Sequence, residues 1–531
     1  MKVLVAEPLA PAALEKLRSQ PGWDVVVADP KTYAGHLHDC DALVVRSAVK
    51  VTKEVLEKAP KLRVIGRAGV GVDNVDLPAA TAAGVLVMNT PGGNAVSVAE
   101  HTLALMLSMA RSVPGASVST KSGKWEKKKF LGNELRGKVL GIIGLGSIGR
   151  EVVKRAKPFE MRILAHDPYV SSQSAQDLGI ELVGLTDLYR QSDYITLHVA
   201  LTPETDHMLN AEAFGVMKPG VRIVNCARGE LIDVEALQRA IENKQVAGAA
   251  LDVFEKEPPG EMPLFTLEDV LATPHIAGST EEAQEIVGVR IAEQMVEYLQ
   301  NGVALNAVNM PALTAEQYRQ LGPYVTLAER LGLFLSHIST GNIRTIHFTY
   351  YGRLADGGNT QVLRNAAIAG VVSRSVEYRV NLINAMQLAV QRGFRIVEQR
   401  EPGQAGMDSL RVELETDAGS FSAVGAVVLD KPRLLQVEGI ACEATLDGNL
   451  MYSRNEDVPG VIGYLGTVLG KNGVNIANFA LGREEMRPNE PGPLMAISII
   501  ETDQPVPDGV AGQILEHKAM KLVRRVTMNR S

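Results

Sequence analysis

Residues 138–156 read KVLGIIGLGSIGREVVKRA and restrict the fold of this chain more than any composition figure does. An apolar, partly β-branched run ends in Gly144-Leu145-Gly146-Ser147-Ile148-Gly149, after which the apolar spacing changes from that of a strand to that of a helix. Three glycines placed so between a strand and a helix meet three physical needs. Gly144 permits the tight turn, Gly146 lets backbone approach a pyrophosphate, and Gly149 lets the helix lie close to the strand. The helix N-terminus, beginning at Ser147 and Ile148, supplies amide donors and partial positive charge. The next strand-like run ends in Ala165-His166-Asp167-Pro168, roughly 20 residues beyond the turn, where a carboxylate accepts from both ribose hydroxyls and repels a 2′-phosphate. The pattern predicts a dinucleotide seat, with NAD favoured over NADP.

The same alternation extends on both sides. KVLVAE, DVVVA, DALVVRS and RVIGRAG, separated by helical patterns, open the chain; VLGIIG, MRILAHD, YITLHV, RIVNCA, GAALDVF and VLATPHIAG continue it. This is the rhythm of parallel sheets with crossover helices. SVAEHTLALMLSMARSV predicts a buried helix, and EEAQEIVGVRIAEQMVEYLQNG a long amphipathic one ending at Gly302. NMPALTAEQ reads as a linker. Beyond it lies a region of mixed helices and β-branched runs without a catalytic constellation, and from about 446 a strand, Pro-Gly turn, helix, Gly turn and strand. With 531 residues, two to four domains are expected. The net charge of -7 argues against a nucleic-acid partner. Cys40, Cys226 and Cys442 are sparse and far apart, which fits a reducing compartment and gives neither a disulfide framework nor a metal-ligand spacing. No apolar run approaches the ~20 residues of a membrane span, and the N-terminal run lacks a secretory pattern, so a cytoplasmic location is expected.

Three polar residues follow buried-strand candidates at the far side of the turn: Arg228 in NCARGELID, Glu257 in DVFEKEP and His275 in TPHIAG. Oxidising a 2-hydroxy acid removes a hydride to a nicotinamide and a proton to a base, most often histidine. His275 lies at a strand end, where doubly wound sheets place their sites. Glu257 can hold its imidazole and favour the protonated form, although in EKEPPGE it reads equally as a loop charge. Arg228 can grip a carboxylate bidentately; alone, it also reads as half of a structural ion pair.

GRAGVGVDNVDLPAAT, VMNTPGGNAVSVAEHTLALML, GLGSIGREV, NCARGELIDVEAL, ALDVFEKEP and ATPHIAGST together resemble the NAD-dependent D-2-hydroxyacid dehydrogenases, nearly end to end. The resemblance implies a Rossmann-type NAD-binding domain (97–282) inserted in a flavodoxin-like substrate domain (1–96 and 283–312). An α+β intervening regulatory domain (313–445) and a C-terminal ferredoxin-like ACT domain (446–531) follow. It implies that Arg228 binds and polarises substrate, that Glu257 partners the histidine and that His275 is the acid/base. Cys226, Ala227 and Asp252 take nicotinamide-side positions, and Val70, Val199 and Gly278 other cofactor contacts, Val70 standing where relatives often carry a polar residue.

Within the family the chain is most similar to members that oxidise D-3-phosphoglycerate to 3-phosphohydroxypyruvate, the first step of phosphorylated serine synthesis. A phosphate needs further cations. Arg46 and Arg67, each ending an apolar strand, with Ser47 and Gly69 beside them, fall where such members contact substrate; the Lys127-Lys128-Lys129 run reads equally as a solvated face. The last unit implies a serine effector site at Asn455, Asp457 and Asn475, residues that are also ordinary turn formers, and pairing of copies into a homotetramer. MRPNEPGP departs from the compact form of that unit, as a lengthened hairpin loop. The alternatives are a glycerate- or lactate-type dehydrogenase, which the two extra domains disfavour, and a non-catalytic NAD-sensing protein, which the complete Arg-Glu-His set disfavours.

Overall fold

Four sheets follow one another along the chain. The structure is a computed structural model and describes all residues except 312, 357–358, 377–378, 402–406, 486–492 and 529–531. The MRPNEPGP loop therefore lies outside the described residues apart from its last proline.

In the first sheet the strands Asp24–Val27, Lys2–Val5, Ala42–Val45, Val64–Arg67 and Leu86–Met88 lie in that spatial order, all parallel. Their near-continuous Val, Leu and Ile content matches strands covered on both faces. The second sheet is seven-stranded and parallel. It runs from Glu181–Leu182 through Arg162–His166, Val139–Ile143, Tyr194–Leu197, Val221–Asn225 and Val246–Leu251 to Val270–Ala272. Its order reverses beside Val139–Ile143, the strand that carries the Gly-rich turn, so that turn opens at the crevice where such sheets bind ligands.

Two long helices exchange the chain between the sheets. Ala95–Arg111 is apolar on most faces, as its sequence predicts, and buries Val98, Ala99, Leu103 and Met106 against Val152, Val153 and Ala156 of the second unit. Glu281–Asn301 returns: Val287, Ile291, Met295 and Leu299 join Val3, Val5, Ala13 and Leu17 in the first core. Thr280 caps its start by accepting from Ala283 N at 3.1 Å, and Gly302 ends it at φ 74°. The helix starts meet where the Ser97 and Thr280 hydroxyls lie 2.8 Å apart.

The expected linker is held rather than loose. The Asn309 side chain accepts from Val87 N at 2.9 Å and donates to Val85 O at 2.9 Å, and Thr314 caps the helix Ala315–Ile338 through a capping box. The third sheet is six-stranded and mixed: Ile343–Tyr351 pairs in parallel with Arg395–Glu401, and the remaining neighbours are antiparallel. In the fourth, Ile476–Arg483, Met495–Thr502, Asn449–Glu456 and Met520–Thr527 lie antiparallel in that order, with the helices Val461–Lys471 and Asp508–Leu515 in the two crossovers. This is the βαββαβ ferredoxin-like arrangement. One hydrophobic core runs through the third and fourth units without a break; Phe334 meets the fully buried Tyr452 edge-on at 6.0 Å. Among the described residues no helix is long and apolar enough to cross a membrane.

Candidate active site

The cleft is built from strand ends. Gly144 turns at φ 96°, and a Cβ there would lie 2.5 Å from the His198 carbonyl oxygen. A Cβ on Gly149 would run into the Gly144 carbonyl, whereas one on Gly146 would have open space within 4 Å. Gly144 and Gly149 are thus required by turn and packing, and Gly146 leaves room for a ligand. Behind the turn starts the ten-residue helix Ser147–Ala156, with Ser147 exposed and Ile148 partly buried. Asp167 follows the strand Arg162–His166; its Oδ2 accepts from Leu145 N at 2.8 Å and its Oδ1 from Tyr169 N at 2.9 Å. Each oxygen keeps lone pairs for ribose hydroxyls. Open space at the turn, helix donors behind it and an anchored carboxylate beside it fit a dinucleotide.

Further along the same edge, Val199 follows Tyr194–Leu197 and approaches Gly144, while Cys226 and Ala227 follow Val221–Asn225 and are buried. Burial pushes the Cys226 thiol up to about 12, so it is a neutral wall and no nucleophile. Asp252, after Val246–Leu251, is fully buried. Its Oδ1 accepts from Thr273 Oγ1 at 2.6 Å and Ile276 N at 2.9 Å, and its Oδ2 from Ala277 N at 2.8 Å; His101 Nε2 stands 3.5 Å from Oδ1. Burial alone would raise its pKa, but the bonds from His101, Thr273 and the two amides hold it below the usual carboxylate range. Gly278 lies against Asn94, and Val70 O accepts from Asn89 Nδ2 at 2.5 Å.

That Asp252 network carries His275. The histidine sits at φ 53°, an uncommon region for a bulky residue, and is held there by its N–H to Asp252 O at 2.8 Å. Its Nδ1 lies 2.7 Å from Glu257 Oε2, and Glu257 Oε1 accepts from Phe254 N at 3.1 Å. A carboxylate only accepts, so Nδ1 carries the proton and Nε2 is left with its lone pair free. The imidazole side chain is 52% exposed, hence reachable from the cleft.

The arginines come from both sheets. Arg228 follows Val221–Asn225; the buried Asn225 fixes its backbone by donating to Arg228 O at 2.7 Å and accepting from Ala227 N at 3.0 Å. Its Nη1 donates to Ala227 O at 2.6 Å, and its Nη2 meets Asp73 Oδ2 at 2.9 Å. From the first sheet come Arg67, whose guanidinium folds over Gly69, and Arg46 with the exposed Ser47. Arg67 Nε is buried without a partner among the described residues. Burial lowers the Arg67 pKa, and the positive charges of Arg228 and Arg46 lower it further, against Asp73 and Glu7. The three cations therefore share one field, and an incoming anion relieves their repulsion. The amides of Val70 and Gly71 donate to no group among the described residues.

Two supports escape a reading of the sequence. Glu7, 6% exposed, accepts from Arg46 N at 2.8 Å, Val49 N at 2.9 Å and Ala48 N at 3.1 Å; Asn74 Nδ2 donates to Arg46 O at 2.8 Å and Val49 O at 2.7 Å. Together they fix the loop that bears Arg46 and Ser47. The only available signal for Glu7 is a carboxylate directly after the strand KVLVA. The lysine run 127–129 is exposed, with Lys129 paired to Glu268 at 3.1 Å.

The description "D-isomer specific 2-hydroxyacid dehydrogenase, NAD binding domain" matches residues 103–277, and "D-3-phosphoglycerate dehydrogenase intervening domain" matches 320–438. The D-3-phosphoglycerate dehydrogenase of Methanocaldococcus jannaschii is 41% identical over 99% of this chain and 100% of its own. That of Bacillus subtilis is 37% identical over 91% and 92%. The chain belongs to the D-3-phosphoglycerate dehydrogenase family. It is an NAD-dependent oxidoreductase, as the sequence reading expects. Solved structures resemble its front portion: D-lactate dehydrogenase from Aquifex aeolicus complexed with NAD and lactic acid is 30% identical with a TM-score of 0.52, covering 59% of this chain and 100% of that one. Formate dehydrogenase from Staphylococcus aureus in complex with NAD is 30% identical with a TM-score of 0.51, over 56% and 96%. The two C-terminal units set the D-3-phosphoglycerate dehydrogenase relatives, and this chain, apart from those shorter enzymes.

The expected effector residues are not brought together within one chain. Asn455 and Asp457 lie at the end of Asn449–Glu456, level with Arg483. Asn475 precedes Ile476–Arg483 at the opposite end of the sheet, donating to Asp503 at 2.7 Å. Eight strand residues separate the two ends, about 25 Å at strand rise. Asn455 is buried with its Oδ1 unpartnered among the described residues, and Asp457 stands 3.5 Å from Arg483 Nε.

Proposed function

We propose that this chain oxidises D-3-phosphoglycerate to 3-phosphohydroxypyruvate in the cleft between its two parallel sheets, with Arg228, Glu257 and His275 as the working set. The observation that carries this reading is the Glu257–His275 contact of 2.7 Å on the loop that packs against the Arg228 turn, where a Cβ on Gly229 would run into the Phe254–Glu255 backbone. Arg228, with the free amides of Val70 and Gly71, holds the substrate carboxylate and orients the carbon bearing the hydroxyl. Arg46 and Arg67, with Ser47 and the Gly69 backbone, hold the phosphate. His275 Nε2 takes the hydroxyl proton, and Glu257 stabilises the imidazolium that results. NAD, seated at Gly144–Gly149 and Asp167, supplies the hydride acceptor.

The test follows NADH consumption with 3-phosphohydroxypyruvate, pyruvate, glyoxylate and hydroxypyruvate. A strong preference for the phosphorylated acid in kcat/KM is expected; equal use of all four would overturn the substrate assignment. Serine binding at the C-terminal unit belongs to the same reading. Since Asn455 and Asp457 lie at one end of the sheet and Asn475 at the other, a pocket using all three needs two copies of the chain. This supports a homo-oligomer, a tetramer if the exposed Val113, Val118, Trp125 and Leu131 also pair across copies. Activity unchanged across a serine titration of the native oligomer would remove the effector from this picture. A cytoplasmic location accords with three free cysteines, all buried.

A further inference from the structure

The fork of Arg228 is already engaged. Its Nη2 meets Asp73 Oδ2 at 2.9 Å, while Nη1 is committed to Ala227 O. Arg228 belongs to the second sheet and Asp73 to the loop after Val64–Arg67 of the first, so the pair joins the two walls of the cleft. The bridge runs over Gly71, where a Cβ would run into Arg228 Nη2 and lie 2.7 Å from Asp73 Oδ2. Glu7 is buried under three backbone amides, and Asp252 under two amides and the Thr273 hydroxyl. Asp73 is 71% exposed, and among the described residues it accepts no backbone amide; its one close ion pair is with Arg228, while its charge also bears on Arg67. A carboxylate with no loop to hold thus sits on the group that the proposed function gives to the substrate's carboxylate.

We propose that Asp73 is a stand-in for the substrate carboxylate, pairing with Arg228 and yielding it when substrate enters. Ala227 O holds Nη1, so a two-point grip on the remaining Nε–Nη2 edge uses the nitrogen that Asp73 approaches, and two carboxylates meeting at one nitrogen repel each other. Substrate therefore exchanges one carboxylate for another on Arg228, and the displaced Asp73 swings into solvent at little cost because it is exposed. The exchange favours ligands that bring a full charge. An amide or ester of the same shape has to break the Asp73 pair without replacing it, so Asp73 sharpens selection for free acids. The inference rests on the role given to Arg228 above.

A double-mutant cycle separates the two claims. The dissociation constant of D-3-phosphoglycerate in the non-reacting complex with NADH is measured calorimetrically for the full-length protein, Asp73→Asn, Arg228→Ala and the double variant. Removing an exposed competing pair should tighten binding ~2- to 5-fold in Asp73→Asn, and the gain should vanish when Arg228 is Ala. Unchanged or weaker binding in Asp73→Asn, or a gain that persists without Arg228, overturns the stand-in. Wild-type affinity in Arg228→Ala instead overturns the role of Arg228 itself.

Discussion

Glu7→Gln isolates the contribution of loop positioning to substrate binding. In the wild-type protein one carboxylate oxygen accepts from Arg46 N at 2.8 Å and Val49 N at 2.9 Å, and the other from Ala48 N at 3.1 Å. Glutamine keeps the shape but has one acceptor oxygen. Placed toward Arg46 and Val49, it converts two charge-assisted bonds to neutral ones, about 0.5–1 kcal/mol each, and loses the third, worth about 1.5–3 kcal/mol. Ala48 is exposed, so water recovers part of that, leaving a net loss of ~2–3 kcal/mol for the ordered loop. If substrate has to reorder the loop on binding, KM for 3-phosphohydroxypyruvate rises ~30- to 150-fold. Once substrate is bound the loop is in place, so kcat should change less than ~3-fold. Steady-state kinetics across a wide substrate range read both numbers, and Glu7→Asp, which keeps the charge on a shorter stem, should recover part of the KM. A KM within twofold of wild type would refute the clamp, and a fall in kcat without a change in KM would move Glu7 to the chemical step.

His275→Ala should lower kcat at least ~10²-fold with KM little changed, the loss expected of a general acid/base; retained turnover would transfer the role to another group. Asp167→Ala should weaken NAD binding and narrow the preference for NAD over NADP, because it removes both the ribose acceptor and the support at Leu145 N; fluorescence titration with both cofactors measures it. Gly149→Ala should abolish NAD binding, since its Cβ meets backbone at Gly144 rather than a movable side chain; wild-type binding would mean that the turn yields. Asp252→Asn should lower both kcat and thermal stability at neutral pH. The Asp252 pKa is depressed in the fold, so its stabilisation is present above the ordinary carboxylate value and lost as pH falls through the depressed one. Variant and wild-type melting temperatures should therefore converge only in strong acid.

What could be read from the chain was what neighbouring residues define. The turn at Gly144 and the apolar runs around it declare a strand, a tight turn and a helix within twenty residues, and the capping of Glu281–Asn301 by Thr280 and Gly302 is equally local. Glu257 and His275 are 18 apart and emerge from adjacent strand ends, so a parallel-sheet reading already makes them neighbours. Glu7, Asn74 and Asp73 could not be found this way. Their partners lie 39 to 42 residues away for Glu7, and across the cleft for Asp73, at distances that only sheet order fixes. The boundary drawn near 445 marks a change of topology that packing does not respect, because Phe334 and Tyr452 share one core.

Position at a strand end identifies a residue as part of the cleft but does not say what it does there. Glu7, Asp167, Asp252 and Glu257 are four carboxylates at or just beyond the ends of parallel strands, alike in pattern. Burial and hydrogen bonding separate them. Glu7 and Asp252 are 6% and 0% exposed with both oxygens taken by amides or a hydroxyl, so they hold backbone in place. Glu257, with a 37% exposed side chain, gives one oxygen to Phe254 N and the other to an imidazole, so it is anchored at one end and orients a ring at the other. Asp167 combines one amide on each oxygen with access to the cofactor seat. A carboxylate whose acceptors are filled by backbone holds the site's shape, and one that keeps an acceptor facing the cleft can act on a ligand. By that criterion Asp252, expected from the sequence beside the nicotinamide, is first the support of the His275 loop.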